Sequence, residues 1–400
     1  MIMSVVLENP GHPENGVATI PFPIPNEEYD HCMELLEALE IGDAVKADCK
    51  VISLDSYYSV LKRMEGLSVN VDELDYLAKR LDSFDDGEAA QFQAMAHKLE
   101  LFELKDFINL TFCCQQVTVI TDFSDLNKVG REHYLNLHGG SAPVAEVEAL
   151  DGEETARLLI DSGSGTVTPY GVVYDNGMTL EQVYDGTYFP CYHYERKPLV
   201  VAMTARQEPE NTDHITWLHL PMSEKQLAHA LSRANITNPE DIRLRYESSE
   251  LPDEVDVALD FCEESLHDLN DLALSVERFS PGALEKLAAA VSMAKPENSG
   301  EIRRVVENLD QCEFAPKVHT PTELGKYMIQ ESGYFEYDPN LEGFYNYEQY
   351  GLQKLEREEG EFTDRGYISY HGTMSLDELM MEDPAETFRQ EQEMQMGRMM

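Results

Sequence analysis

Positive charge is what this sequence lacks most. Against 76 Asp and Glu stand 30 Lys and Arg, a formal net charge of −46 over 400 residues. A nucleic-acid binder needs a basic face, so that class is excluded. No apolar run approaches the roughly 20 residues of a membrane-spanning helix, and no signal-peptide pattern opens the chain. The seven cysteines (Cys32, Cys49, Cys113, Cys114, Cys191, Cys262 and Cys312) are odd in number and form no Cys-x-x-Cys. They read as reduced thiols of a cytoplasmic protein, mostly small core residues. The charge is no acidic tail: residues 1–200 hold 35 acids and 13 bases, residues 201–400 hold 41 and 17. At 42% hydrophobic, with 20 Tyr and 15 Phe, the chain can still bury a core. Such charge strains the compact state by self-repulsion, so a folded protein that keeps it is expected to use it. The blander readings are solubility or a salt-adapted host.

Recognisable catalytic groupings are also missing. Gly163-Ser164-Gly165 resembles a phosphate-loop fragment, but no Gly-Lys-Ser/Thr follows, and a turn is expected there. Cys191-Tyr192-His193 could ligate a metal, but two further ligands at sensible spacing are lacking. Carboxylate pairs are inevitable with so many acids and carry no information about acid–base catalysis. No Ser/His/Asp or Cys/His arrangement rises above background. No catalytic, cofactor-binding or metal residue is therefore assigned, and the chain is not read as an enzyme.

What is present is repetition. Gly165-Thr166-Val167-Thr168-Pro169-Tyr170-Gly171 and Gly360-Glu361-Phe362-Thr363-Asp364-Arg365-Gly366 share the frame Gly-x-x-Thr-x-x-Gly-x5-Gly, 195 positions apart. Earlier anchors follow in order at offsets of 195 to 199: Val5-Val6 with Val200-Val201, Pro13-Glu14-Asn15 with Pro209-Glu210-Asn211, Ile24-Pro25 with Leu220-Pro221, and Asn109-Leu110 with Asn308-Leu309. The runs 71–78 and 266–273, and 122–126 and 320–324, also match. Self-similarity at fixed spacing decides architecture before local propensity does. The expected fold class is α+β, an elongated tandem repeat of small α/β units and helical bundles.

The expected domains are a small α/β unit at 1–66, a helical unit at 67–135 and a small α/β unit at 136–195. These are followed by their counterparts at 196–250, 251–334 and 335–374 and a flexible tail at 375–400. Strands are predicted at 3–8, 17–24, 49–54, 167–174, 187–194, 198–204, 214–220 and 241–247. Helices are predicted at 27–40, 55–64, 151–160 and 223–234; residues 70–135 read as helical and residues 255–332 as a helical unit. Asp122 with Asp125 suits a helix start, and Thr320-Pro321-Thr322-Glu323 is a capping box with Pro at the first helical position.

Duplex DNA carries roughly one negative charge per 1.7 Å of axis. At that density a charge of −46 matches about 78 Å, or about 23 base pairs. Carboxylates laid along an elongated surface would compete with DNA for a basic groove, gaining the same steering and counterion release. The candidate mimic carboxylates lie off the apolar stripes and are expected to point outward: Asp72, Glu73, Asp75, Asp82, Asp85, Asp86 and Glu88 in the first half. Asp268, Asp271, Glu356, Glu358, Glu359, Glu361 and Asp364 are their candidates in the second.

Phe344-Tyr345-Asn346-Tyr347-Glu348-Gln349-Tyr350-Gly351, then Leu355-Glu356-Arg357-Glu358-Glu359-Gly360-Glu361-Phe362-Thr363 and Gly366-Tyr367-Ile368, resemble the C-terminal region of the ArdA antirestriction family. Weaker agreement reaches back through 255–332. The resemblance implies an elongated mimic of bent B-form DNA, built of three small domains per module, that occupies the DNA-binding subunits of Type I restriction-modification enzymes. It implies no catalytic residue and no cofactor, and a protein of mobile-element type. It also implies pairing into dimers; because this chain already holds two modules, the expectation is either a homodimer, with self-association through Tyr347 and Tyr350, or an intramolecular pseudo-dimer. Two departures stand out. The family's usual chain is about one copy, and here the first copy lacks Tyr-Glu-x-Tyr-Gly, with His138-Gly139-Gly140 and Gly152-Glu153-Glu154 near its place. The alternative is an acidic module that sequesters another basic protein: a CRISPR effector, a nucleoid protein or a conjugation factor.

Overall fold

Strand β1 (Met3–Glu8) alternates buried Met3, Val5 and Leu7 with half-exposed Ser4, Val6 and Glu8, as a strand with one face on a core must. In the computed structural model, which describes residues 1–207 and 214–381, it is the centre of the first sheet. The order is β2-β1-β3-β4, with β2 (Val17–Phe22), β3 (Cys49–Ser56) and β4 (Ser68–Val69). Strand β1 pairs antiparallel to β2 from Met3↔Phe22 to Glu8↔Val17, and its register against β3 slips between Val6 and Leu7. Helix α1 (Tyr29–Ala38) lays Tyr29, Cys32, Met33 and Leu36 into the same core. The Phe22–Pro23 peptide is cis, and just beyond it the Ile24 N–H donates to Asp75 Oδ1 at 2.7 Å.

Three helices follow: α2 (Val71–Asp82), α3 (Asp86–Lys98) and α4 (Leu104–Leu110). Val71, Leu74, Leu77 and Leu81 of α2 are buried at helical spacing. Asn70 caps α2 by accepting from the Glu73 N–H, and Asp85 with Glu88 forms a capping box on α3. A second small sheet, ordered β5-β7-β6, comprises β5 (Thr118–Ile120), β6 (Thr166–Thr168) and β7 (Gly171–Tyr174), with α5 (Leu126–Leu137), α6 (Val144–Ala149) and α7 (Gly152–Asp161) inserted. Helices α5 and α7 cross at glycine: a Cβ on Gly130 would lie 1.8 Å from the Gly152 carbonyl oxygen.

The second half contains β8 (Leu199–Ala205), β9 (Thr216–Leu220), α8 (Glu224–Arg233) and β10 (Ile242–Ser249), the strands ordered β10-β8-β9. The β10–β8 register slips between Tyr246 and Ser248. Leu220–Pro221 is cis, and the Met222 N–H donates to Asn270 Oδ1 at 2.8 Å. Helices α9 (Asp253–Ala258), α10 (Leu266–Val276), α11 (Pro281–Ala294) and α12 (Ser299–Glu307) follow. The last sheet, β11-β13-β12, consists of β11 (Cys312–Pro316), β12 (Glu361–Thr363) and β13 (Gly366–Tyr370). Helices α13 (Pro321–Gln330) and α14 (Tyr347–Arg357) lie between β11 and β12, and α15 (Leu376–Met380) follows β13. A Cβ on Gly351 would lie 1.8 Å from the Pro321 carbonyl oxygen, so α13 and α14 also approach more closely than any side chain allows.

The protein is thus α+β. Its described residues divide into two compact units: residues 1–195 with 207, 214–217 and 223–241, and residues 196–206, 218–222 and 242–381. Helix α8 packs within the first of these. No helix among the described residues is long and apolar enough to cross a membrane. The anchor Pro209-Glu210-Asn211 and residues 382–400 of the tail lie outside the described residues.

Three expectations need correction. Residues 70–135 and 255–332 are mainly helical but also contain the strands β5 and β11. The cap of α5 is Asp125, and Asp122 instead binds Ser124 in the preceding turn. Residues 187–194 form no strand. Their aromatic rings find partners on α2 instead of an open sheet edge: Phe189 stacks on Tyr76 with centroids 4.6 Å apart, and the Tyr76 hydroxyl donates to the Pro190 carbonyl at 2.9 Å.

Candidate acidic interface

Several of the few cations pair with carboxylates of the same chain. Lys98 holds Asp175 at 2.8 Å, Lys197 holds Glu277 at 3.2 Å, Lys225 holds Glu37 at 2.6 Å and Arg303 holds Asp271 at 2.7 Å. Arg365 grips Glu254 through both Nε and Nη2, at 2.8 and 3.0 Å. What remains at the surface is carboxylate excess.

Helix α2 does not contribute to it as expected. Asp75 is buried, accepting from the Ile24 N–H and pairing with Lys79 at 2.8 Å. Asp72 faces α8, with His229 Nδ1 at 3.2 Å and Arg233 Nη2 at 3.6 Å. Glu73 accepts from the Tyr184 hydroxyl at 2.6 Å, and burial raises its pKa despite that bond. Arg233 itself is buried. It donates to Asn70 Oδ1 at 2.6 Å and stacks 4.5 Å over Phe189. Burial pulls the His229 pKa down, but the Asp72 carboxylate more than offsets this, so the net shift is upward. The apolar stripe of α2 correctly indicated which residues reach the core. It could not show that residues 183–195 and α8 would cover the polar face.

The remaining first-half candidates sit near the surface. Asp82 is exposed and accepts from the Tyr194 hydroxyl at 2.5 Å. Asp85 and Asp86 are exposed at the start of α3, while Glu88 is half-buried and engaged by the Asp85 N–H and by Gln115. In the second half Asp268 closes the first turn of α10 with Ser265, and Asp271 is held by Arg303. Glu356, Glu359, Glu361 and Asp364 are exposed along the end of α14 and the β12–β13 hairpin.

Glu358 differs from these neighbours. It pairs with Lys354 at 2.8 Å, and Lys354 also holds Glu313 at 2.8 Å. Burial opposes ionisation of Glu358, but Lys354 and Arg357 win and its pKa is lowered. Glu313, Glu358 and His371 are near enough to one another to suggest a metal site, but the Lys354 ammonium already lies between the two carboxylates. Cys191 Sγ and His193 Nε2 lie 3.5 Å apart.

Tyr350 packs half-buried against the cluster of Ala315, Leu324, Met328 and Tyr367. Tyr347 is half-buried and donates to Glu342 at 2.6 Å. The large apolar groups exposed in this region are others: Phe344 at 86% and Tyr334 at 68%. The sequence pattern gave no signal for them.

Among the described residues, Glu356, Glu359, Glu361 and Asp364 are thus exposed carboxylates on a chain of net charge −46. Residues 212–369, the C-terminal part of the chain, match the family described as Antirestriction protein (ArdA). The match includes α14 and the exposed carboxylates after it, and it leaves residues 1–211 uncovered. No curated protein matches the chain.

Proposed function

We propose that the protein is an antirestriction inhibitor, not an enzyme, that presents DNA-like charge to the DNA-binding subunits of Type I restriction-modification enzymes in the cytoplasm. One observation carries this reading: the segment matching the ArdA family holds Glu356, Glu359, Glu361 and Asp364, exposed within a chain of net charge −46. Unpaired surface carboxylates draw a basic groove by long-range steering, and ordinary salt screens that attraction beyond about 8–10 Å. The direct test adds the protein to a purified Type I enzyme and measures cleavage and methylation from about 0.05 to 0.3 M salt. Inhibition that is strong at low salt and fades as salt rises is expected. Undiminished activity at low salt with inhibitor in excess would refute the proposal. Inhibition of an unrelated DNA-binding protein instead would favour the broader acidic module.

A further inference from the structure

The two halves repeat one another in finer detail than the family match covers. Four helix caps in the first half recur 195 positions later: Asn70, Asp85, Asp125 and Asp151 correspond to Ser265, Ser280, Thr320 and Asn346. In each case the side chain accepts from the backbone N–H three residues on. The sheets correspond as well, β2-β1-β3 with β9-β8-β10 and β5-β7-β6 with β11-β13-β12.

Less common features recur too. Each half has a cis proline closing its second strand, at Pro23 and Pro221. Beyond it a backbone N–H is caught by the middle of a helix, at Asp75 in one half and Asn270 in the other. Gly130 and Gly325 occupy equivalent helix crossings, where an added Cβ would meet a carbonyl oxygen at 1.8 and 2.0 Å. Both hairpins are pinned by a threonine hydroxyl donating to a glycine carbonyl: Thr168 to Gly171 at 2.8 Å and Thr363 to Gly366 at 2.9 Å. The two glycines have φ of 131° and 141°, a region that favours glycine. Polar caps alone are common. Caps, cis peptides, glycine crossings and threonine latches in one order are not.

Against that shared frame, the charges differ. Glu358, Glu359, Glu361 and Asp364 occupy the places of Gly163, Ser164, Thr166 and Pro169. Glu313 and His371, 3.6 Å apart, stand where the first half has Thr118 and Asn176, joined by a neutral hydrogen bond of 3.0 Å. We infer that residues 1–195 are a second copy of the module matched at 212–369, one that keeps its frame but has shed the carboxylate rim of its hairpin. The rim that meets a basic partner then belongs to the C-terminal copy. This inference rests on the proposed inhibitory function.

The test uses the full chain and a purified Type I restriction-modification enzyme at low salt. One variant removes the C-terminal rim (Glu359→Gln, Glu361→Gln, Asp364→Asn). A second adds to these an N-terminal rim (Ser164→Glu, Thr166→Glu, Pro169→Asp). A third replaces that added rim with its neutral isosteres (Ser164→Gln, Thr166→Gln, Pro169→Asn). Rim removal should weaken inhibition about tenfold or more, mostly through slower association. The transplanted rim should recover most of that loss, and the neutral version none. Thermal melts of the second and third variants that superimpose show that the frame accepts both sets.

If rim removal abolishes inhibition and the transplanted rim recovers no more than its neutral control, the hairpins are not equivalent. The inference is then overturned while the inhibitory function stands. If rim removal changes nothing, the assignment to the C-terminal copy is wrong. Absence of inhibition by the unaltered chain removes both readings together.

Discussion

Replacing Asp256 by Asn should stabilise the protein at neutral pH and leave it unchanged in acid. Asp256 lies in α9 with its Oδ1 buried and without a hydrogen-bond partner. Burial is the main cause that raises its pKa from 3.8 to about 6. A bond from Ser249 opposes the rise and the like charge of Asp253 adds to it. The folded state therefore holds a proton that the unfolded chain has released between about pH 4 and 6. Stability contributed by the protonated carboxyl is present below that window and lost as pH rises through it. Two pH units correspond to at most about 3 kcal/mol, and partial access to water reduces this to about 1–2 kcal/mol. Urea unfolding of the Asp256→Asn variant and the unaltered protein at pH 7.5 should show the variant more stable by that amount, with the gap closing by pH 4. General charge repulsion also changes with pH, but it acts nearly equally on both proteins and cancels in their difference. A gap that is absent at pH 7.5, or that persists unchanged at pH 4, would refute the reasoning.

Alanine at Gly130 or at Gly325 should each cost about 1–3 kcal/mol or more, because the helices must move apart to admit a methyl group; thermal melts of the two variants check this. Arg233→Ala should cost about 3–5 kcal/mol locally, since it leaves Asp72 and Asn70 without their buried guanidinium. Faster hydrogen exchange across 224–233 is the expected sign, and unchanged protection there would contradict it.

Much of this protein was legible in its sequence because short-range chemistry repeats visibly. The Gly-x-x-Thr-x-x-Gly frame is a hairpin whose threonine hydroxyl must reach a glycine carbonyl, so residue type and spacing are both constrained. Tyr347-Glu348-Gln349-Tyr350-Gly351 stood out in the same way, and its glycine is the point where α14 touches the backbone of α13. Apolar spacing on α2 likewise identified Val71, Leu74, Leu77 and Leu81 as core.

Helical periodicity reports which residues face the core. It does not report what later arrives to cover the opposite face. Asp72, Glu73 and Asp75 lie off the stripe, as surface residues do, yet Ile24, Tyr184, His229 and Arg233 come from other parts of the chain to satisfy them. The short strands β5 and β11 were hidden for a related reason: three to five residues between helices carry too little pattern, and pairing with β7 and β13 makes them strands. Sequence alone thus determined the charge and the local turns. Which carboxylates are structural and which are free was decided by long-range contacts, because a carboxylate's environment depends on the neighbours that folding brings to it.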